Sequence, residues 1–403
     1  MKMILKNKLL LILFCITCFL YACTIEKEPE NQSKIKEPID DSKILIIYLA
    51  ADNNLYSNSI LNIEAILEGM EGRGKRVVIY HDTPSSSPRL MTVNVYSDEC
   101  ILDTLKVYEE RNSSDPKVLN EVLKDVKMEY PNSKYGLFLW SHASAWIPSA
   151  SPNIRSRSFG DDDNFGGDSS IPEMDIRDLA LFLPCKFEYI VFDACLMSSV
   201  EVAYELKDKV KYLIASPTEI IADGFPYKEI MPYLFKGEDG LKTVCEKYFQ
   251  YYHNQTPASQ LNSGTITLLN TEKIDKLAQT VNAIIGDNDF SMWQKDNILL
   301  YPMANYESQL GYNCFYDLKD FMSKLANVEQ MNVFNEVLNE VVLYTRATDY
   351  FWGKPLDYTH YSGLSVYIPL NYWNHDYNWG SHADRKPYEY YKNLKWAKIV
   401  YGY

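Results

Sequence analysis

The chain has 403 residues, 46% hydrophobic and 23% charged, which is ordinary globular composition without disordered, collagen-like or coiled-coil bias. That length allows one large domain or two ordinary ones and readily buries a core. Lys and Arg number 40 against 54 Asp and Glu, so the net charge is -14; phosphates would be repelled, which argues against a nucleic-acid partner.

Lys2, Lys6 and Lys8 precede an apolar run from Leu9 to Ala22. The run is too short for a comfortable membrane span, so residues 1–22 read as a signal peptide. It ends in Leu20-Tyr21-Ala22-Cys23, which resembles a bacterial lipobox. Cys23 is therefore the expected lipidation site and first mature residue. The protein is expected to be exported and tethered through its lipid to a membrane, at the cell surface or the periplasmic face. Residues 23–42 are polar, with little apolar content, and read as a flexible tether.

From Ile44 the chain alternates strands and helices. Ile44–Leu49 is a continuous apolar run, as in a strand buried on both faces. Asp52-Asn53-Asn54 forms a turn, and a helix is expected over 57–70. Val77–Tyr80 is a second strand, and 91–96 with 100–107 form an edge pair. Asp115-Pro116 opens a helix to about Tyr130, Asp as cap and Pro in the first turn. Tyr135–Trp140 is the third buried strand. Between Ile147 and Pro172 the pattern breaks into an expected exposed, cleavable loop rich in Ser, Gly, Asp and Pro. A helix over 174–183, a strand over 187–192, a helix over 197–208 and a strand over 212–215 follow. Helices are then expected over 241–252 and 333–345, with strands at 265–269 and 364–368. The alternation implies an α/β fold with a mostly parallel central sheet and helices on both faces. Residues 43–235 read as the main α/β domain, and the mainly helical 236–403 as packing on it and completing the fold. Ligands in such a fold sit beyond the carboxyl ends of the strands.

Two strand ends carry the candidate chemistry. Ser141-His142 follows the third buried strand and Ala194-Cys195 the fourth. Neighbouring parallel strands would set imidazole and thiol side by side. A nucleophilic Cys needs a base or a lowered pKa, which His142 and a helix starting near Met197 would supply. The backbone N–H groups of Ala143 and Cys195 are candidate oxyanion donors. The other mature cysteines, Cys100, Cys185, Cys245 and Cys314, are scattered and contain no CxxC pair, so no zinc site is indicated.

Leu139–Trp146 (LWSHASAW) and Phe192–Tyr204 (FDACLMSSVEVAY) resemble the clostripain family of cysteine peptidases, in the caspase-like clan. Ala51–Leu55, Ser156–Gly160, the stretch 212–227 and Gly363–Pro369 extend the resemblance over most of the mature chain. It implies a caspase-like α/β/α sandwich, His142 as general base and Cys195 as nucleophile. It also implies cleavage of protein or peptide substrates after Arg and, less well, Lys. Asp193 is the first candidate for the carboxylate that would hold a guanidinium, and Asp223 the second, with turn capping an equal reading. Arg157 and Arg155 are the implied self-cleavage sites in the 147–172 loop. No cofactor is required by this chemistry. Some relatives use calcium, to which Asp161-Asp162-Asp163 could contribute, although a solvated acidic loop is the preferred reading. A monomer is expected. The family usually has Gly after the catalytic His, where this chain has Ala143, and often Gly where Ala145 stands; Ala still supplies the amide. The alternative is a catalytically silent caspase-like surface lipoprotein that binds peptides, or glycans through Tyr372, Trp373 and Trp379.

Overall fold

A computed structural model describes residues 38–96, 99–131, 133–147, 159–164, 174–287, 298–302, 315–356, 361–369 and 390–403. Cys23, Arg155, Arg157, Cys314, Tyr372, Trp373 and Trp379 lie outside the described residues, as does the signal-peptide segment.

Nine strands form one sheet. In chain order they are β1 (Asp40–Ala50), β2 (Lys75–Thr83), β3 (Ser86–Val95), β4 (Cys100–Val107), β5 (Lys134–Trp140), β6 (Phe187–Asp193), β7 (Val210–Ala215), β8 (Thr265–Asn270) and, after the two-residue β9 (Tyr316–Asp317), β10 (Val342–Ala347). Their spatial order is β10-β8-β7-β6-β5-β1-β2-β3-β4. The five central strands, β7 to β2 in that order, run parallel, and two antiparallel strands border them on each side. β1 starts at Asp40, inside the segment expected to be tether; Asp40 and Asp41 pair with Lys75 and Arg76 at the start of β2.

The continuous apolar run of β1 is explained by its two covered faces. Ile44, Ile46, Tyr48 and Ala50 enter one core, and Leu45, Ile47 and Leu49 the other. Alternate residues of a strand point to opposite faces, so one run serves both. The first core is closed by helices that include Pro116–Glu129, Val200–Leu206 and Ile274–Asp287, and the second by Tyr56–Met70 and Gly237–His253. The helix at Pro116 starts as its sequence dictates: the Asp115 carboxylate accepts from the Lys117 N–H, with Pro in the first turn.

The expected 333–345 helix is corrected. The helix is Val328–Val341, opened by an Asn327/Gln330 capping box, and Val342–Ala347 is instead the edge strand β10. Val342, Tyr344 and Thr345 pair with β8, and β-branched and aromatic residues suit that role. Two short pairs complete the description: a hairpin of β11 (Tyr350–Phe351) and β12 (Lys354–Pro355), and β13 (Ser365–Val366) beside β9. Among the described residues no helix is long and apolar enough to cross a membrane.

Candidate functional site

β5 and β6 are parallel neighbours, with Trp140 opposite Asp193 at their carboxyl ends. His142 and Cys195 each follow two residues after those strand ends. His142, Asp193 and Cys195 line one cavity of about 360 Å³, with Leu55, Glu219, Ile220, Ile221, Ala222 and Trp352 among its walls.

The His142 side is held by the turn after β1. The Asn54 side-chain Oδ1 lies 2.8 Å from His142 Nε2, an acceptor suited to the tautomer that carries its proton on Nε2 and leaves Nδ1 as the basic nitrogen. Ser141 Oγ donates to the Ala50 carbonyl, and the Asn53 amide donates to the Ala50 and Asp161 carbonyls. The Gly160 N–H donates to the His142 carbonyl. The Asp-Asn-Asn turn, read from sequence as a turn and a weak motif match, is therefore the scaffold of the imidazole, and Asn54 is a site residue to which sequence reasoning gave no role.

The expected exposed 147–172 loop is corrected over its described part. Phe159, Gly160, Asp161 and Asp162 are buried, and Asp162 accepts from both the N–H and the hydroxyl of Ser113. Only Asp163 of the acidic triplet is exposed. The solvated-loop reading thus fails for Asp161 and Asp162. Among the described residues no three acidic, His or Cys side chains converge to hold a metal ion.

The Cys195 side differs from its expectation. The following helix starts only at Val200, behind the Ser199 cap, so the thiol does not sit at a helix N-terminus. Residues 196–199 form a braced loop instead. The Leu196 and Ser198 N–H groups donate to the Thr218 and Ser216 carbonyls, and the Ser365 N–H to the Ser198 carbonyl. Leu196 has φ +67, a left-handed strain next to the sulfur. Burial pushes the Cys195 thiol up to about 12; the Ile220 N–H, 3.4 Å from Sγ, opposes the shift and the Glu219 carboxylate adds to it. The resting side chain is therefore a thiol at neutral pH.

Asp193 is buried beneath the same cavity. Its Oδ2 accepts from the Phe225 N–H at 3.2 Å and the Tyr227 hydroxyl at 2.8 Å. Burial raises its pKa to about 6 against those two bonds, so it is mainly ionised at neutral pH. A Cβ on Gly224, which has φ +68, would lie 2.5 Å from Oδ2, so this turn can pass the carboxylate only as Gly. Asp223 beside it is exposed and is not among the cavity walls. The second carboxylate in the cavity is Glu219, which sequence reasoning did not single out.

The two Ala-for-Gly positions behave differently. Ala145 takes φ +58, where Gly would be at ease, whereas Ala143 has no positive φ. Neither the Ala143 nor the Cys195 N–H donates to a backbone carbonyl among the described residues.

The remaining motif blocks meet around this loop. The Ser198 hydroxyl donates to the Gly363 carbonyl, the Tyr367 N–H donates to Glu201, and Trp146 packs on Tyr367 with ring centres 5.2 Å apart. A model of the clostripain family matches residues 47–401. The chain belongs to the clostripain family. Clostripain from Hathewaya histolytica is 24% identical over 257 residues, 52% of this chain and 47% of that protein, so the chain spans about half the length of that curated relative. An inactive zymogen C11 protease from Parabacteroides distasonis shares the fold at TM-score 0.74 and 32% identity, covering 91% of this chain and 99% of that one. A secreted C11 cysteine protease from Bacteroides thetaiotaomicron, solved with an irreversible peptide inhibitor, gives TM-score 0.74 at 25% identity, covering 89% and 99%. The caspase-like clan fold expected from the motifs is the fold of these clostripain-family relatives.

Proposed function

We propose that the chain is an exported cysteine endopeptidase, anchored by lipid at Cys23, that cleaves protein and peptide substrates after basic residues, Arg over Lys. The observation that carries this reading is the meeting of His142, Cys195 and Asp193 in one cavity at the ends of two parallel strands. Its walls are mainly apolar, with carboxylates from Asp193 and Glu219. That combination suits a long methylene stem ending in a cation.

In the proposed reaction the Cys195 sulfur bonds to the scissile carbonyl carbon as its proton passes to His142. The thiol is protonated at rest, so its proton leaves as substrate engages rather than beforehand. The oxyanion is stabilised by the N–H groups of Ala143 and Cys195. The C–N bond breaks as His142 returns the proton to the leaving amine. Water, deprotonated by His142, then hydrolyses the thioester and restores the thiol. Asn54 orients the imidazole for these steps.

Self-cleavage after Arg157 or Arg155 would cut the chain between β5 and β6. The pieces would stay joined, because those strands pair directly. The protein acts as a monomer and binds no nucleic acid in this reading. A peptide-cleavage profile of the mature protein beside Cys195→Ala tests it: cleavage after Arg, then Lys, is expected, with none in the variant. Full cleavage by Cys195→Ala would sink the assignment. A Cys195 that resists alkylation in a protein that cuts nothing would favour the silent peptide- or glycan-binding relative.

A further inference from the structure

The hairpin of β11 and β12 turns through Trp352-Gly353, with φ +49 and +76. Positive φ at both turn residues is the type I′ geometry, which selects Asn, Asp or Gly at the first position. A Trp there is strained. Its surroundings do not explain the choice as core packing. The indole is only half-buried, and its Nε1–H is enclosed without a hydrogen-bond partner among the described residues. What anchors the hairpin is backbone: the Trp352 N–H donates to Ser263 Oγ at 2.7 Å, and the Thr348 N–H to the Gly264 carbonyl at 2.9 Å. An Asn at 352 could make the same backbone bond without the strain.

The indole does have one neighbour that gives it a use. It forms a wall of the cavity that also holds Cys195, His142 and Asp193. We propose that Trp352 is a specificity residue that covers the methylene stem and cationic head of the substrate's basic side chain while Asp193 receives its charge. An indole face attracts a guanidinium through the ring quadrupole, more strongly than a phenyl ring does, and most when water is excluded. This inference rests on the basic-specific peptidase reading and assigns that site its aromatic half. The strain at residue 352 is then conformational energy kept for binding.

The test uses Trp352→Asn and Trp352→Phe in the full mature protein, assayed on peptide pairs that differ only in Arg or its uncharged isostere citrulline at the cleaved position. Trp352→Asn creates a relaxed Asn-Gly turn, so it should melt at or above the wild-type temperature. Its KM for the Arg peptide should rise about tenfold with little change in kcat, and less for citrulline, as a lost desolvated cation–π contact implies. Trp352→Phe should lie between, and it decides the matter should the Asn variant fail to fold. An Arg-to-citrulline ratio unchanged in both variants overturns the role of Trp352. So does a Trp352→Asn protein that melts lower while its folded fraction keeps wild-type kinetics. A wild type that cuts both peptides equally overturns the basic-specificity reading itself, which is a separate result.

Discussion

Replacing Tyr227 by Phe should displace the acid limb of Arg-directed cleavage towards alkaline pH. The phenol hydroxyl is one of two donors to Asp193 Oδ2, and the ring packs against Phe138, which Phe would preserve. Asp193 has a pKa near 6 because burial outweighs those two bonds. A hydrogen bond to a charged group contributes roughly 1.5–3 kcal/mol, and one pKa unit is about 1.4 kcal/mol, so its loss should raise Asp193 by about one to two units. At pH 7 the ionised fraction then falls from about nine-tenths to somewhere between about a half and a tenth. Only the carboxylate holds a cation, so kcat/KM for an Arg peptide should drop about two- to tenfold at pH 7 and recover by pH 9. The assay is kcat/KM against pH for an Arg peptide, divided by the same profile for an uncharged peptide. Titrations of Cys195 and His142 cancel in that ratio. An unmoved acid limb, or an equal shift on the uncharged peptide, would refute Asp193 as the cation's partner.

Three further outcomes are expected. Asp82 is fully buried, and burial beside Asp162 and Glu110 raises it to about 8. Its folded pKa exceeds its unfolded one, so the fold binds the extra proton and loses stability as pH rises from about 4 through 8; Asp82→Asn should flatten that decline and add on the order of a few kcal/mol at pH 8.5, read by thermal melts against pH. Asn54→Ala removes the acceptor at His142 Nε2, so kcat should fall about tenfold or more with KM little changed, which steady-state kinetics will show. Arg155→Ala/Arg157→Ala should leave the chain whole on a denaturing gel with reduced peptidase activity; a wild type that stays whole while fully active refutes gating by the cut.

Much of the frame is readable in the residues because burial on both faces leaves an unbroken signal. β1, β5 and β6 show as apolar runs, and His142 and Cys195 follow directly after two of them. The cap at Asp115-Pro116 is equally local. What was not legible depends on residues brought together from far apart. Nothing in Glu219-Ile220-Ile221-Ala222 marks it as a cavity wall, because its position follows from β7 pairing beside β6. Trp352 comes from a hairpin more than a hundred residues further along, and its turn carries no Asn or Asp signal. Composition also cannot separate a solvated carboxylate from a buried one. Asp162 is buried because Ser113 supplies two donors, a partnership separated by 49 residues. β10 was mistaken for helix because its apolar residues extend the preceding pattern past Val341, and only pairing with β8 decides between the two.

The partition of β1 between two cores has a consequence for which insertions the gene can tolerate. One added residue between Ser42 and Leu45 would face a choice with no good outcome. If the strand kept its end fixed, the extra residue would be extruded before Ile44 at little cost, since Asp40–Ser42 are exposed. If it instead slid by one place, Ile46 and Tyr48 would exchange sides with Ile47 and Leu49, and a tyrosine ring would be driven into space shaped for an aliphatic chain. The same slide would carry Asn54 one step along the sheet edge, away from the imidazole it holds. The spacing from the first core residue of β1 to Asn54 is thus constrained twice, once by packing and once by chemistry, and length variation should gather upstream of Ile44.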